Sequence, residues 1–317
     1  MVSSLDEFPH LNLYSRYVRS EWLKLLGVCS LELSSGDLSR LSGVNEVVSQ
    51  DEIKNIYMPL SRLIRLRLDH AKSLSDDVSA FLASGVSKLP FIVGVSGSVA
   101  SGKSTTSRVL RELLSRDASL SVKVVSTDGF LKTNQQLADE GLTERKGFPE
   151  SYNLDLLLRF LFDLKAGVPL LEVPVYSHIL YDIVPDVVDT IDDVDVVIIE
   201  GLNILQTGAS SLVQQKAFVS DFLDFTVFVD ASLYHLRQWY VERLLTLSDG
   251  AMQSPDAYFH HLTIMPRDKL VHYAEKIWSE INEVNLIENI LPYRYRADCI
   301  LHKGDDHNVE AVSLRSL

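Results

Sequence analysis

The chain has 317 residues, of which 46% are apolar and 23% charged, so it can bury a sizeable core and lacks the composition of a disordered protein. Its formal net charge of −13 argues against sequence-independent nucleic-acid binding, which needs a basic surface. The longest apolar run, 194–199, is far shorter than the roughly 18 residues needed to cross a membrane, and the first residues lack the pattern of a signal peptide. The only two cysteines, Cys29 and Cys299, are isolated, which suits a reducing compartment. We therefore expect a cytoplasmic protein that binds neither nucleic acid nor a membrane.

The pattern of apolar residues changes near residue 89 of the chain. Residues 1–88 are mainly helical in pattern, most clearly at 61–84, and predict a helical N-terminal extension. From Leu89 onward, short Val/Ile-rich runs alternate with helical patterns, which indicates an α/β fold whose mainly parallel sheet is flanked by helices. The predicted strands are 91–96, 122–127, 194–200, 225–230 and 299–303, and the predicted helices are 107–117, 153–167, 232–250 and 267–290. We expect one domain over 1–317, with the core at 89–317 and helices at its C-terminal end.

A glycine-rich loop follows the first predicted strand. The stretch GSVASGKST, residues 97–105, contains the full pattern G-x-x-x-x-G-K-[ST] and precedes a predicted helix. Glycines at this spacing let backbone N–H groups surround phosphate oxygens at a helix N-terminus. Lys103 supplies a positive charge, and the Ser104 hydroxyl is a ligand suited to Mg²⁺. The loop therefore predicts a site for ATP and Mg²⁺ formed by Gly97, Ser98, Val99, Ala100, Ser101, Gly102, Lys103, Ser104 and Thr105.

Two carboxylates end predicted strands, at the edge where α/β sheets bind their ligands. Glu200 ends the run VDVVIIE and is a candidate ligand for the metal, although a capping or ion-paired glutamate is an alternative. Asp128 follows the run VKVVST and is a candidate base for an attacking hydroxyl, although it could simply begin the turn at Gly129. A base at this position favours phosphoryl transfer to a hydroxyl over release to water.

Other segments narrow the class of phosphate-loop protein. The guanine-recognition pattern [NT]-K-x-D is missing from the sequence, and polar–aromatic segments at 146–152 and 174–182 suit a pocket for a small polar molecule. Arg243, on a predicted helix beyond the core, could close over the triphosphate or could pair with neighbours on its own helix.

Several of these stretches together resemble the bacterial type I pantothenate kinases, within the phosphoribulokinase and uridine kinase superfamily. The likeness covers about residues 41–307 and is most specific in KGFPESY (146–152) and PVYSHILYD (174–182). The resemblance implies transfer of the γ-phosphate of ATP to the terminal hydroxyl of pantothenate, the first step toward coenzyme A. It implies catalytic roles for Asp128, Lys103 and Arg243. It also implies a substrate pocket of Tyr176, His178, Tyr181, Tyr240, Tyr258, Phe259, Ile281 and Asn282.

The resemblance carries further expectations. Family members are inhibited by coenzyme A, and Arg108, Lys103 and His178 match the positions expected to meet that inhibitor. Asn45, Lys303 and His307 match the region near the ATP base. The family also implies a homodimer, with the helix after the phosphate loop as a candidate contact. This chain departs from the family where Leu244 and Leu247 replace two phenylalanines, which puts its tolerance of pantothenate analogues and its sensitivity to coenzyme A in question.

Two alternative functions remain open at this point. A nucleoside kinase of the uridine kinase type would use the same loop and base, and a substrate panel separates it from a pantothenate kinase. A regulatory ATP-binding switch would hydrolyse ATP slowly and would have no need of a pocket formed by Asp128, Tyr176 and His178.

Overall fold

A seven-stranded sheet forms the centre of the molecule, as seen in a computed structural model that describes residues 13–25, 34–44, 47–83, 89–116, 119–207 and 217–316. The order of its strands is β1-β9-β8-β7-β2-β6-β3, and a separate ribbon pairs β4 with β5. Strands β8, β7, β2, β6 and β3 are parallel, whereas β9 runs antiparallel to both β8 and β1. The strands are β1 (Tyr14–Val18), β2 (Phe91–Gly97), β3 (Val122–Ser126), β4 (Leu170–Ser177), β5 (Asp182–Asp192), β6 (Val196–Glu200), β7 (Phe225–Asp230), β8 (Cys299–Lys303) and β9 (Val309–Arg315).

Helices cover both faces of this sheet. They are α1 (Arg19–Lys24), α2 (Ser35–Leu41), α3 (Gln50–Glu52), α4 (Met58–Phe81), α5 (Lys103–Ser115), α6 (Asn134–Asp139), α7 (Leu154–Lys165), α8 (Leu233–Asp249), α9 (Arg267–Ile277) and α10 (Glu283–Asn285). Wider π-helical turns at Ile53–Tyr57, Trp278–Asn282 and Leu286–Ile290 join several of them. Within the described residues, no helix is both long enough and apolar enough to span a bilayer.

The central strands are buried on both faces, because successive side chains of a strand point to opposite sides of the sheet. In β2, Val93 and Val95 belong to a core that includes residues of α4 and α5. Ile92, which directly precedes Val93, belongs to the opposite core with Leu161 of α7 and Trp239 of α8. The continuous Val/Ile pattern of these strands follows from this burial.

The predicted α/β fold, with a mainly parallel sheet between helices, is confirmed. Asn153 caps α7 as expected, since its side chain accepts a hydrogen bond from the backbone N–H of Leu156 at 3.2 Å. The described part of 1–88 is mainly helical, but 14–18 form edge strand β1 against β9, a strand that the sequence did not predict. None of the five residues of that strand is buried, so the strand gives no apolar signal, and its pairing with the distant C-terminal strand was not visible from local pattern.

Candidate active site

The phosphate loop lies between the end of β2 and the start of α5. Gly97 has a φ of +148°, and a Cβ at this position would lie 2.5 Å from the carbonyl oxygen of Val229 in the neighbouring strand. Gly102 has a φ of 94° and directly precedes α5, so a residue with a side chain would be strained there. Ser101 Oγ donates to the carbonyl oxygen of Ser98 at 2.9 Å and holds the loop closed. The glycines of the motif are therefore required by close backbone approach and by a left-handed turn.

Lys103 is turned back toward its own loop. Its Nζ donates a hydrogen bond to the carbonyl oxygen of Ser98 at 2.6 Å. Burial lowers the pKa of Lys103 to about 8, and the nearby carboxylates of Glu200 and Asp128 only partly oppose that effect. A desolvated lysine at a helix N-terminus gains more from a bound anion than an exposed lysine does, because less water competes for the charge.

Ser104 and Glu200 provide oxygen ligands suited to Mg²⁺. Ser104 Oγ donates to Glu200 Oε1 at 2.9 Å, which places the predicted metal ligands of the loop and of β6 side by side. Glu200 Oε2 is buried and accepts no hydrogen bond from the described part of the chain. A buried carboxylate oxygen without a donor fits a cation, and Mg²⁺ needs only one or two protein oxygens when it also binds phosphates.

One cavity of about 390 Å³ opens beside this loop. It is lined by Lys103, Ser104, Glu200, Asp128 and Arg243, which the sequence assigned to phosphate, metal and catalysis. The same cavity is lined by every residue predicted to bind the substrate, namely Tyr176, His178, Tyr181, Tyr240, Tyr258, Phe259, Ile281 and Asn282. Residues more than 150 positions apart in the chain thus line a single space.

Asp128 lies in the short 3-10 turn Thr127–Phe130 that follows β3. The turn is capped by Ser126, whose Oγ accepts a hydrogen bond from the backbone N–H of Asp128 at 3.2 Å. The Asp128 carboxylate is therefore not needed to begin the turn, and its residue lines the cavity instead. Gly129 lets the turn approach β4, since a Cβ there would lie 2.3 Å from the carbonyl oxygen of Pro174. This contact brings Asp128 next to the strand that carries Tyr176.

Aromatic side chains form the far wall of the cavity. The ring of Tyr181 lies with its centroid 4.8 Å from that of Phe259 and 5.4 Å from that of Tyr258, and Tyr176 meets His178 edge-on at 5.2 Å. Burial raises the pKa of Tyr240 to about 12, partly offset by a hydrogen bond with Asn282, so its phenol stays neutral. Neutral hydroxyls and ring edges suit a substrate that has both methyl and hydroxyl or amide groups.

Lys146 is a cavity residue whose role the sequence reasoning missed. Its Nζ donates to Asn134 Oδ1 at 2.7 Å and to the carbonyl oxygen of Tyr181 at 2.5 Å, and it lies 4.1 Å from the centroid of the Tyr181 ring. Burial lowers the pKa of Lys146 to about 8, against the opposing charges of Asp182 and Asp128. The sequence did carry a sign of this role, because Lys146 is the only basic residue in the segment KGFPESY that was expected to contribute to a pocket.

Helix α8 contributes another wall of the cavity, with one arginine among apolar side chains. Arg243 on α8 lines the cavity together with Leu244 and Leu247. Leu244 also packs in a small separate core with Met252 and Leu262, so aliphatic side chains form this wall.

Outside the phosphate loop, three predicted residues do not line this cavity and a fourth lies outside the described residues. Arg108 donates from Nε and Nη2 to the carbonyl oxygen of Leu41 at 3.2 and 3.1 Å. Lys303 is 6% exposed at the end of β8, and the ring of His307 stacks on Trp239 with centroids 3.8 Å apart. Asn45 lies outside the described residues. The expected contacts of these four with coenzyme A or the ATP base therefore stay predictions.

Comparisons with known proteins identify the family of the chain. The model of the phosphoribulokinase / uridine kinase family matches residues 92–243. Proteins named pantothenate kinase are similar over nearly the whole chain. One from Coxiella burnetii (strain RSA 331 / Henzerling II) is 45% identical over 98% of both chains, and one from Shouchella clausii (strain KSM-K16) is 44% identical over 99% of this chain and 98% of its own.

Solved structures share the fold at low identity. A D-glycerate 3-kinase from Cryptococcus neoformans has a TM-score of 0.52 at 15% identity, covering 79% of this chain and 96% of its own. The YGR205w protein has a TM-score of 0.51 at 17% identity, covering 79% of this chain and 99% of its own. The phosphate loop, the carboxylates and the aromatic side chains line one cavity, and the identity to pantothenate kinases extends over nearly the full length. The chain is therefore an enzyme, a small-molecule kinase, and it belongs to the pantothenate kinase family.

Proposed function

We propose that this protein transfers the γ-phosphate of ATP to the terminal hydroxyl of pantothenate, the first step toward coenzyme A. The observation that carries the proposal is that Asp128 lines the same cavity as Lys103 of the phosphate loop and as the aromatic wall around Tyr181. A carboxylate between a phosphate site and a pocket for a polar molecule is the arrangement that a hydroxyl acceptor needs.

The reaction follows from these positions. The substrate hydroxyl oxygen attacks the γ-phosphorus, its proton passes to the Asp128 carboxylate, and the bond from the γ-phosphorus to the β–γ bridging oxygen breaks to leave ADP. Lys103 and Arg243 supply positive charge where negative charge develops on the transferring group. The aromatic wall excludes water, which favours the bound hydroxyl over hydrolysis of ATP.

Ser104 and Glu200 would hold Mg²⁺ on the phosphates, where the cation offsets phosphate charge. The contact between Ser104 Oγ and Glu200 Oε1 keeps both ligands oriented before nucleotide binds.

A substrate panel tests the proposal. The purified protein with ATP and Mg²⁺ is assayed for ADP formation with pantothenate, uridine or no acceptor. We expect rapid ADP formation with pantothenate only. Faster turnover of uridine would replace the proposal with a nucleoside kinase, and slow turnover that no acceptor stimulates would favour a regulatory switch.

Coenzyme A is proposed as a feedback inhibitor that competes with ATP, as the family resemblance implies. Lys103 and His178 line the cavity, and Arg108 follows Lys103 by little more than one helical turn on α5. Inhibition by added coenzyme A that rising ATP concentration relieves would support this part, and inhibition unaffected by ATP would contradict it. The proposal also includes a cytoplasmic location and a homodimer.

A further inference from the structure

Another cavity, of about 330 Å³, lies next to the catalytic cavity, and Tyr152 lines both of them. It forms where the chain leaves two parallel strands, since Thr127 follows β3 and Asn203 follows β6. Ligands of α/β proteins bind at this edge of the sheet. Neither Asp128 nor Lys103 lines this second cavity, so the proposed phosphoryl transfer makes no use of it.

Part of the lining of the second cavity is apolar. Leu157 and Ile204 are 3% and 2% exposed and belong to the core under the sheet. The aromatic residues Tyr152, Phe218 and Tyr293 line the same space. A cavity of this size with apolar and aromatic walls suits a small molecule that has an apolar body.

Three amide side chains supply most of its polar lining, and each is held by its nitrogen. Asn203 Nδ2 donates to the carbonyl oxygen of Gly147 at 3.0 Å, and Gln206 Nε2 donates to the carbonyl oxygen of Asn289 at 2.9 Å. Asn289 Nδ2 in turn donates to Asn285 Oδ1 at 3.0 Å. Within the described residues, none of the three amide oxygens that line the cavity accepts a hydrogen bond, and that of Asn203 is buried. The groups left for a ligand are therefore mainly acceptors.

The charge at this cavity is negative. Glu150 is neutralised by Arg145, whose Nε lies 2.6 Å from Glu150 Oε1. Glu288 is exposed and makes no ion pair within the described part of the chain. The described residues that line the cavity include no lysine, arginine or histidine. One carboxylate thus stands beside the three amide oxygens without a positive charge to balance it.

We propose that the second cavity binds a small organic amine, a molecule with an apolar body and one ammonium group. The body packs against Leu157 and Ile204, and the ammonium group donates to the amide oxygens and to Glu288. An ammonium group has several donors and no acceptor, which matches a lining whose open polar groups are acceptors. The rings of Phe218 and Tyr293 also favour a cation over an anion. A carboxylate or phosphate ligand would meet only oxygen atoms and a negative charge here.

The test compares three probes that share a phenyl body and differ at the polar end: 2-phenylethylamine, 2-phenylethanol and phenylacetate. Their dissociation constants are measured on the full chain by ligand-observed NMR titration at pH 7, where the amine is protonated. The catalytic cavity is filled beforehand with pantothenate, Mg²⁺ and a non-hydrolysable ATP analogue. We expect the amine to bind at least about fivefold more tightly than the alcohol, and phenylacetate to bind more weakly than the alcohol. Equal affinities, or no binding of the amine, would overturn the proposal.

Variants locate the bound amine. Glu288→Gln should remove the advantage of the amine over the alcohol and leave the affinity for the alcohol unchanged. The matched control is Glu280→Gln, because Glu280 is an exposed carboxylate that lines neither cavity, and it should keep the advantage. An advantage that survives in Glu288→Gln, or that is lost in Glu280→Gln, would contradict the assignment.

Two further variants separate this site from the catalytic cavity. Val219→Phe adds volume to the lining of the second cavity and should weaken the amine and the alcohol alike, whereas Asp128→Asn should leave both unchanged. Amine binding that Asp128→Asn weakens and Glu288→Gln does not would place the probe in the catalytic cavity and overturn the proposal. Because Glu288 and Glu280 lie outside the catalytic cavity, their variants should keep normal ATP turnover, which also shows that they are folded. The choice of acceptor for the phosphate does not affect these outcomes, so a failure of the pantothenate assignment would leave the amine site to be decided by its own variants.

Discussion

The low pKa of Lys103 predicts that nucleotide binding takes up a proton. In the ligand-free protein, burial lowers the pKa of this lysine to about 8. Triphosphate bound at the loop favours the charged form and returns the pKa toward its ordinary value of about 10.4. Binding should then take up about 0.1 proton at pH 7, about 0.5 at pH 8 and about 0.9 at pH 9, by linkage. The same linkage weakens nucleotide affinity about tenfold between pH 7 and pH 9, since free energy is needed to protonate the lysine.

The assay is calorimetric titration of a non-hydrolysable ATP analogue with Mg²⁺, repeated at each pH in two buffers of different ionisation enthalpy. Lys103→Arg should remove the proton uptake, because arginine is charged throughout this range. Lys146→Met is the matched control, since Lys146 is a second cavity lysine with a pKa of about 8 that lies near Tyr181 and not in the loop, and it should retain the uptake. Absence of proton uptake in the wild type at pH 8, or full uptake in Lys103→Arg, would refute the reasoning.

Three further predictions concern the cavity. Asp128→Asn should lower kcat by roughly 10²-fold or more through loss of the base while nucleotide affinity is retained, and near-normal turnover of the folded variant in a coupled ADP assay would remove Asp128 from that role. Glu200→Gln should raise the Mg²⁺ concentration needed for half-maximal turnover by about tenfold or more, because the buried Oε2 is replaced by an amide nitrogen, and an unchanged Mg²⁺ titration would contradict the metal assignment. Lys146→Met should raise the KM for pantothenate by about tenfold with a smaller change in the KM for ATP. Lys146→Arg should restore part of the lost affinity for pantothenate. Equal effects on the KM of both substrates would argue against a position of Lys146 in the part of the cavity that binds pantothenate.

The parallel strands and the phosphate loop were predictable because their signals are local. Buried strands such as β2 and β7 show as continuous apolar runs, and the spacing from Gly97 to Ser104 specifies the turn that the loop adopts. The strand-end positions of Asp128 and Glu200 also follow from the alternation of strands and helices, since parallel strands bring their C-terminal ends to one edge.

Other features depend on contacts between distant segments. Strand β1 forms because Tyr14–Val18 pair with Ala311–Arg315 at the other end of the chain, and no local pattern specifies that pairing. Strand β5 is largely exposed and acidic, so it lacks the apolar alternation that identifies a strand. Lys146 was missed as a site residue because its importance comes from Tyr181 and Asn134 around it, which the sequence places 35 and 12 residues away.

The fate of the γ-phosphate tests the central claim most directly. Phosphorus NMR of a reaction containing the protein, ATP, Mg²⁺ and pantothenate distinguishes a phosphomonoester from inorganic phosphate. The cavity that joins Lys103, Asp128 and the aromatic wall predicts one new phosphomonoester, confirmed by mass as phosphorylated pantothenate, for each ADP formed. Inorganic phosphate as the main product, with pantothenate unchanged, would contradict the account.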